Sequence, residues 1–517
     1  MKHKRSLYFP IFVVCILGIQ CTDYSDSSEN QLETVVEEYF QLDRSTIGIS
    51  TIATGMDVPW EITWGQDDWI WYSQIKGEIG KINPGTGEKR VIHQMDSLFT
   101  DRTPGLLGIA IHPDQDRFPF LFALHNQEIS NENIVLYVSR FRLAGDTLTD
   151  QKILLEIPGA RAHNGSRIKV GNDGLLYIST GEAVRAEESQ NINDPGGKVL
   201  RINIDGTVPA DNPFSDNPVW AWGFRNPQGL EITKNGRIYV SDHGDATDDE
   251  VNFVIKGGNY GWPDVRGICD TELEKVYCKD SVIMESMRHW TPTIAPAGID
   301  YYDMDSIPEW ENTLLLTTLK ASSLRVLELS DDGRSIKSEV VLFSHKFGRI
   351  RDLCISPAGD VYISTSNQDW YRTNKPEDND DRIIRLFNIT GRSIPDSIPE
   401  YKYRRNPEQD SGIAITGERL YSDYCASCHK VDGKGVKGTF PPLSGTKTVQ
   451  GDKSNFVSTV LKGVSGEIIV DGVTYNEHMP SFAFLADDEI ARILTYVRSS
   501  FGNQASEITE EEVRRLR

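Results

Sequence analysis

The chain has 517 residues, 76 acidic against 54 basic, and a formal net charge of −22 at pH 7. That length exceeds one ordinary core and predicts two folded domains with tails. The acidic balance excludes nucleic acid as a partner, because phosphates need a basic surface, and it fits docking of a basic or neutral redox protein.

The chain starts with Met1-Lys-His-Lys-Arg5 and an apolar run from Leu7 to Ile19. A charged start followed by an apolar stretch too short to span a bilayer comfortably reads as an export signal. Cys21 comes next and opens a polar stretch from Thr22 to Asn30. The arrangement resembles a bacterial lipoprotein signal whose cysteine becomes lipidated, although Gly18 and Gln20 depart from the usual upstream residues. The alternative is simple cleavage to a soluble periplasmic product. We therefore expect a signal peptide over 1–20, a polar tether over 21–45, and an exported protein that is periplasmic or meets a bacterial membrane only through a lipid anchor.

From about residue 46 to residue 398 a hairpin signature repeats: an apolar strand, a Gly/Asp/Asn turn, then an aromatic or aliphatic strand ending in Ser, Thr or Ala. The second strands carry Trp71-Tyr-Ser73, Leu121-Phe-Ala123, Tyr177-Ile-Ser179, Tyr239-Val-Ser241, Leu315-Leu-Thr317 and Tyr362-Ile-Ser364, spaced 47 to 76 residues apart. Six such units predict an all-β six-bladed propeller, whose closure leaves no long edge strand exposed. A sandwich needs no evenly recurring unit.

The repeat also places polar groups. His163, Arg225 and Arg349 each stand 13 or 14 residues before the second-strand aromatic, at the start of a first strand. Glu182, His243-Gly244 and Lys320 follow the second strands, where the hairpin returns. Those positions are neighbours in an antiparallel hairpin, so the groups gather at one mouth. With Arg225, Arg349, Arg351 and Lys320 there, the expectation is a strongly cationic mouth suited to a small polyanion. Salt bridges between blades are the plainer alternative.

These segments resemble the soluble quinoprotein glucose and aldose sugar dehydrogenases, six-bladed propellers that bind pyrroloquinoline quinone (PQQ) and calcium. The likeness runs through Gly105-Leu-Leu-Gly108, His163-Asn-Gly-Ser-Arg167, Gly223-Phe-Arg-Asn-Pro-Gln-Gly229, Asp248-Asp-Glu250, Gly257-Gly-Asn-Tyr-Gly-Trp-Pro263 and Arg349-Ile-Arg-Asp352. It implies that His163 is the base that takes a hydroxyl proton as hydride leaves, with Glu182 where the family has an Asp that steadies it. It implies PQQ contacts from Arg225, Asn226, Lys320, Arg349 and Arg351. Gly244 and Asp245 match carbonyl ligands of a catalytic calcium, and Glu250 and Tyr260 match ligands of a structural one. The last two could instead be a loop salt bridge and a packed aromatic. Ala162 stands where the glucose-oxidising members have an Asp that they use on the sugar, so the resemblance does not single out glucose as the substrate.

An oxidising compartment favours pairing of Cys269 with Cys278, nine residues apart in a polar loop. Closing that loop contributes about 2–3 kcal/mol in the chain-entropy model. Cys354, in the apolar run Leu353-Cys-Ile355, reads as an inert strand residue.

Pro-containing residues 399–410 predict a linker. Beyond it, Cys425-Ala-Ser-Cys428-His429 carries two thiols spaced to bond one haem covalently, with His429 beneath the iron. Met479, before Pro480, is the expected sixth ligand, with His478 as competitor; a structural zinc on the same Cys and His residues would lack a fourth ligand. Residues 411–503 resemble a class I cytochrome c, small and all-α, with helices over 411–424 and 487–499. Thr509-Glu-Glu-Glu512 has capping-box spacing and predicts a helical tail over 504–517.

The leading expectation is a quinohaemoprotein dehydrogenase that oxidises a sugar or related alcohol and passes electrons through haem c to an external acceptor. A calcium-dependent propeller hydrolase of lactonase type and a non-catalytic electron-relay or binding propeller are the competing classes.

Overall fold

The computed structural model describes residues 35–517 apart from 101–102, 131–132, 370–378, 404–415, 431, 465, 477–478, 480 and 484. Cys21 and the export segment lie outside the described residues. Among the described residues the strands form five four-stranded sheets, one five-stranded sheet and one two-stranded ribbon. The first five sheets are blades 1 to 5, spanning 59–94, 106–158, 165–222, 227–290 and 296–342. Blade 6 joins 350–355, 361–365 and 383–388 to two strands from the start of the chain, Thr46–Ala53 and Glu38–Gln41. First strands of successive blades pack side by side, and 350–355 returns to 59–64, so the ring of six closes.

The repeated Ser or Thr has a physical reason. In Ile70–Gln74, Leu176–Thr180, Ile238–Asp242, Thr313–Thr318 and Val361–Thr365 every residue is buried, because each blade is covered on both faces. A hydroxyl there must find a partner, and it finds the first-strand backbone of the next blade. Ser73 Oγ donates to Leu107 O (2.5 Å), Ser179 to Pro227 O (3.4 Å), Ser241 to Ala297 O (2.6 Å), Thr317 to Arg351 O (3.0 Å) and Ser364 to Pro59 O (3.2 Å). The last of these ties the final blade to the first. Blade 2 carries Ala123 at this position and makes no such bond.

Two expected tails belong to the propeller instead. Glu38–Gln41, placed by the sequence in a polar tether, pairs with Thr46–Ala53, and Phe40 is fully buried against Phe343, Tyr401 and Tyr403. Pro399 O accepts from Tyr39 N, and Tyr401 N donates to Tyr39 O. The start of the expected linker is thus held by the same strand. The loop with Cys269 and Cys278 also contains the helix Glu272–Asp280, started by a Thr271/Glu274 capping box, and the two cysteines form a disulfide. Cys354 is buried and free.

The second unit is helical, with one departure from an all-α expectation: the ribbon Ile468–Val470 and Val473–Tyr475. Helices Gly417–Tyr424 and Asp487–Ser499 cross closely; a Cβ on Gly417 would lie 2.2 Å from Arg492 O, so only glycine permits the approach. Leu420, Val457, Ile490, Leu494 and Val513 share its core. The tail helix Glu510–Arg514 starts at a Thr509/Glu512 capping box and is tied back by Lys453 to Glu512 at 2.9 Å.

Candidate active site and haem-attachment site

Pairing registers Gly165↔Thr180, Pro227↔Asp242, Pro296↔Thr318 and Ile350↔Thr365 put first-strand starts beside second-strand ends in blades 3 to 6. His163 Nδ1 lies 2.9 Å from Glu182 Oε1 and 3.0 Å from Oε2. Glu182 is the longer side chain for this position, and it reaches. Its carboxylate accepts the Nδ1 proton, which leaves Nε2 as the lone-pair nitrogen. The backbone enforces this pairing: Ala183 N donates to His163 O, and a Cβ on Gly181 would sit 2.1 Å from that oxygen. His163, Ala183 and Val184 all adopt positive φ (55°, 53° and 59°). Strain concentrated on these two facing segments marks a geometry that the surroundings impose. Burial, then Arg225, hold the His163 ring below the usual imidazole range, with Glu182 opposing them.

Arg225 and Asn226 are fixed by one carboxylate, with Asp242 accepting both amide protons at 2.9 and 2.7 Å. Asn226 Oδ1 in turn accepts from Gly165 N, joining blades 3 and 4 beside His163. Arg225 lies over Trp262, and Arg351 lies 3.8 Å over Trp60. Lys320 Nζ donates to Thr293 Oγ1 at 2.7 Å. Arg349 and Arg351 both bind Asp369, Arg349 through Nε at 2.9 Å and Arg351 through Nη2. Burial alone would raise the Asp369 carboxyl, but the two guanidiniums outweigh it and hold it at about 2. Burial pushes Arg351 itself down to about 10.

The mouth is therefore not the bare cationic ring the sequence predicted. Asp242 ends the second strand of blade 4, Asp249 begins its third, Asp369 comes from a loop, and Asp245 lies 3.7 Å from Arg225. Asp249 stands inside the quoted Asp248-Asp-Glu250 motif and Asp242 directly follows the quoted Tyr239-Val-Ser241, where a count of acidic residues beside the motifs could have found them. Asp369 had no such marker. Even so, Arg225 Nε and Arg351 Nη1 are buried and find no hydrogen-bond partner among the described residues. Donors left over after the carboxylates are counted fit an anionic ligand.

Gly244 N donates to Asp249 Oδ1 at 2.8 Å, which fixes the turn of Gly244 and Asp245. Glu250 is buried and paired in register with Asp242. Burial, then the neighbouring Asp242, push Glu250 up to about 8, and burial pushes Asp242 up to about 7. Glu250 accepts from Asn252 Nδ2 at 2.8 Å and from Gly267 N at 2.6 Å, so a cation there would share a carboxylate that the loop already holds. The Tyr260 hydroxyl serves Phe253 O and Ile255 N while its ring stacks on Phe224 at 4.5 Å. Among the described residues no three His, Cys, Asp or Glu side chains converge on a metal position; a site held by backbone carbonyls would not need them.

In the second unit Cys425 caps the short helix Ala426–His429, Cys428 lies within it, and neither forms a disulfide. His429 Nδ1 lies 2.8 Å from Pro441 O, so the ring donates there and keeps Nε2 for a metal. Burial lowers its pKa. Met479 is held by a two-way backbone bridge to Val464 and packs against the helical core.

A closed six-bladed propeller with this polar mouth, followed by a haem-attachment unit, defines an oxidoreductase of the sugar dehydrogenase type joined to a cytochrome c. The glucose/sorbosone dehydrogenase family model matches residues 56–371, and the cytochrome c model matches residues 414–501. The chain belongs to the glucose/sorbosone dehydrogenase family and carries a C-terminal cytochrome c domain. It is similar to quinoprotein glucose dehydrogenase B of Acinetobacter calcoaceticus, 28% identical over 403 residues, covering 61% of this chain and 84% of that protein. The solved PQQ-bound form of aldose sugar dehydrogenase from Streptomyces coelicolor superposes with a TM-score of 0.57 at 27% identity, covering 66% of this chain and 98% of that one. Cytochrome c-552 of Thermus thermophilus is 36% identical over 118 residues, 20% of this chain and 79% of that protein.

Proposed function

We propose that the protein is a PQQ-dependent dehydrogenase that oxidises a sugar or related alcohol and delivers the electrons to its own haem c. The observation that carries this reading is the pairing of His163 with Glu182 beside buried arginine donors still short of partners. Arg225, Asn226, Lys320, Arg349 and Arg351 hold the three carboxylates of PQQ, in part by sharing the arginines with Asp369. When bound, PQQ supplies the carbonyl carbon that accepts hydride. Gly244 and Asp245 would hold a calcium that polarises that carbonyl, and Glu250 with the Tyr260 carbonyl a second, structural one.

His163 receives the substrate hydroxyl proton at Nε2 and is neutral when it does so, because burial and Arg225 disfavour its charged form. Glu182 fixes the tautomer and stabilises the ring once protonated. Cys425 and Cys428 would carry the haem, with His429 and Met479 as the residues that would bind its iron; a thioether ligand raises the potential and suits an electron acceptor. Export, with or without a lipid on Cys21, belongs to the same proposal, since covalent haem attachment takes place outside the cytoplasm. No helix among the described residues is long and apolar enough to cross a membrane.

Reconstitution tests the reading. Apoprotein given PQQ and calcium should reduce a soluble dye when an aldose or alcohol is added. Turnover of lactones with calcium alone, and no dye reduction with PQQ, would replace it with the hydrolase.

A further inference from the structure

The two folded units meet at the edge of both sites. Lys320 Nζ lies 4.1 Å from the centroid of the Tyr424 ring, a cation–π contact between the propeller mouth and the cytochrome domain. Lys320 stands on a fixed base. Its amide donates to Ile294 O, and its ammonium binds Thr293 Oγ1. Asp249 holds the same loop by accepting from Ile294 N (2.5 Å) and Ala295 N (2.6 Å). On the other side, Tyr424 ends the helix Gly417–Tyr424 and directly precedes Cys425. Its ring meets Phe482 edge-on at 6.4 Å, three residues after Met479. The tyrosine therefore sits between the two segments that carry the haem attachment and the sixth ligand.

We propose that Tyr424 is the docking residue that seats this chain's own cytochrome domain on the propeller mouth, so that electrons pass from the quinone site to haem within one molecule. This rests on the PQQ reading above. Each substrate CH–OH releases two electrons and two protons. The hydroxyl proton leaves to water by way of His163, the proton that travels with the hydride is released to water when the quinone is reoxidised, and the electrons leave singly, each reducing ferric haem to ferrous haem. Ferrous haem returns to ferric by giving its electron to an external one-electron acceptor, so two such transfers complete one turnover.

The test uses the full-length, haem-loaded protein. Hydrogen–deuterium exchange without PQQ reports docking alone. Tyr424→Ala should raise exchange several-fold at 291–296 and 417–429, and Tyr424→Phe, which keeps the ring, should match the parent. If Tyr424→Ala fails to take up haem, Lys320→Met probes the contact from the other side by the same measurement. With PQQ and substrate, Tyr424→Ala should slow haem reduction at least tenfold while direct reduction of a small dye stays unchanged. Parent-like exchange in Tyr424→Ala and Lys320→Met, or parent-like haem reduction in Tyr424→Ala, would overturn the proposal. A parent protein with no substrate-driven dye reduction at all would instead remove the PQQ reading, and the exchange data would still judge the docking.

Discussion

The Nδ1 atom of His163 lies 2.9 Å from Oε1 of Glu182, joining two facing segments in which His163 on one side and Ala183 and Val184 on the other take left-handed backbone conformations. The pair spans the open end of the first hairpin of blade 3, His163 just before the first strand and Glu182 just after the second, so the imidazole has one orientation and one tautomer.

Glu182→Gln should lower kcat/KM by about 10- to 100-fold, as is typical when the partner that orients a histidine is removed. The pH profile carries a second sign. Glu182 raises the His163 pKa against burial and Arg225, so its loss must lower that pKa and move the acid limb to lower pH. His163→Ala should cost about 10²- to 10⁴-fold while dithionite-reduced haem keeps its spectrum.

Asp369→Asn should destabilise the propeller by about 3–5 kcal/mol, because Arg351 is left buried without its counter-charge. Saturating PQQ should recover part of the loss in Tm, since the quinone carboxylates bring negative charge to the same arginines. The folded pKa of Asp369 lies below its ordinary value, so its contribution is complete above about pH 4 and fades as pH falls towards about 2. Acid unfolding of the parent minus that of Asp369→Asn measures this window.

Met479→Ala should lower the haem potential and abolish the sulfur-to-iron charge-transfer band, leaving covalent attachment through Cys425 and Cys428 intact. Potentiometric titration and absorption near the red edge check both. Substrate-driven reduction of the haem should then slow while dye reduction persists.

Ser241→Ala should cost about 1 kcal/mol in denaturant unfolding, the typical worth of one buried hydrogen bond, by breaking the tie from blade 4 to Ala297 of blade 5. Ala123 occupies the corresponding place in blade 2 without such a tie, so Ala123→Ser should change stability by less than that.

The propeller was legible because its signature is periodic and each letter has a reason. The aromatic fills the space between blades, and the Ser or Thr after it bonds the next blade. His163 and Glu182 could be brought together for the same reason: hairpin pairing fixes which chain positions face each other. Asp369 could not be, because its place depends on a loop path rather than a register. The strand Glu38–Gln41 was hidden by its shortness and polar flanks; only its packing against Phe343, Tyr401 and Tyr403, far along the chain, reveals Phe40 as core. The Lys320 contact with Tyr424 joins residues over one hundred positions apart in separate domains, and no local pattern encodes it.

The most direct measurement is the haem absorption of full-length protein titrated with PQQ in the presence of calcium and a panel of aldoses and alcohols, without added dye. The account predicts that the reduced haem band grows with PQQ to one equivalent and only when an oxidisable substrate is present. A band that stays oxidised with every substrate, in protein shown to hold PQQ, would contradict it.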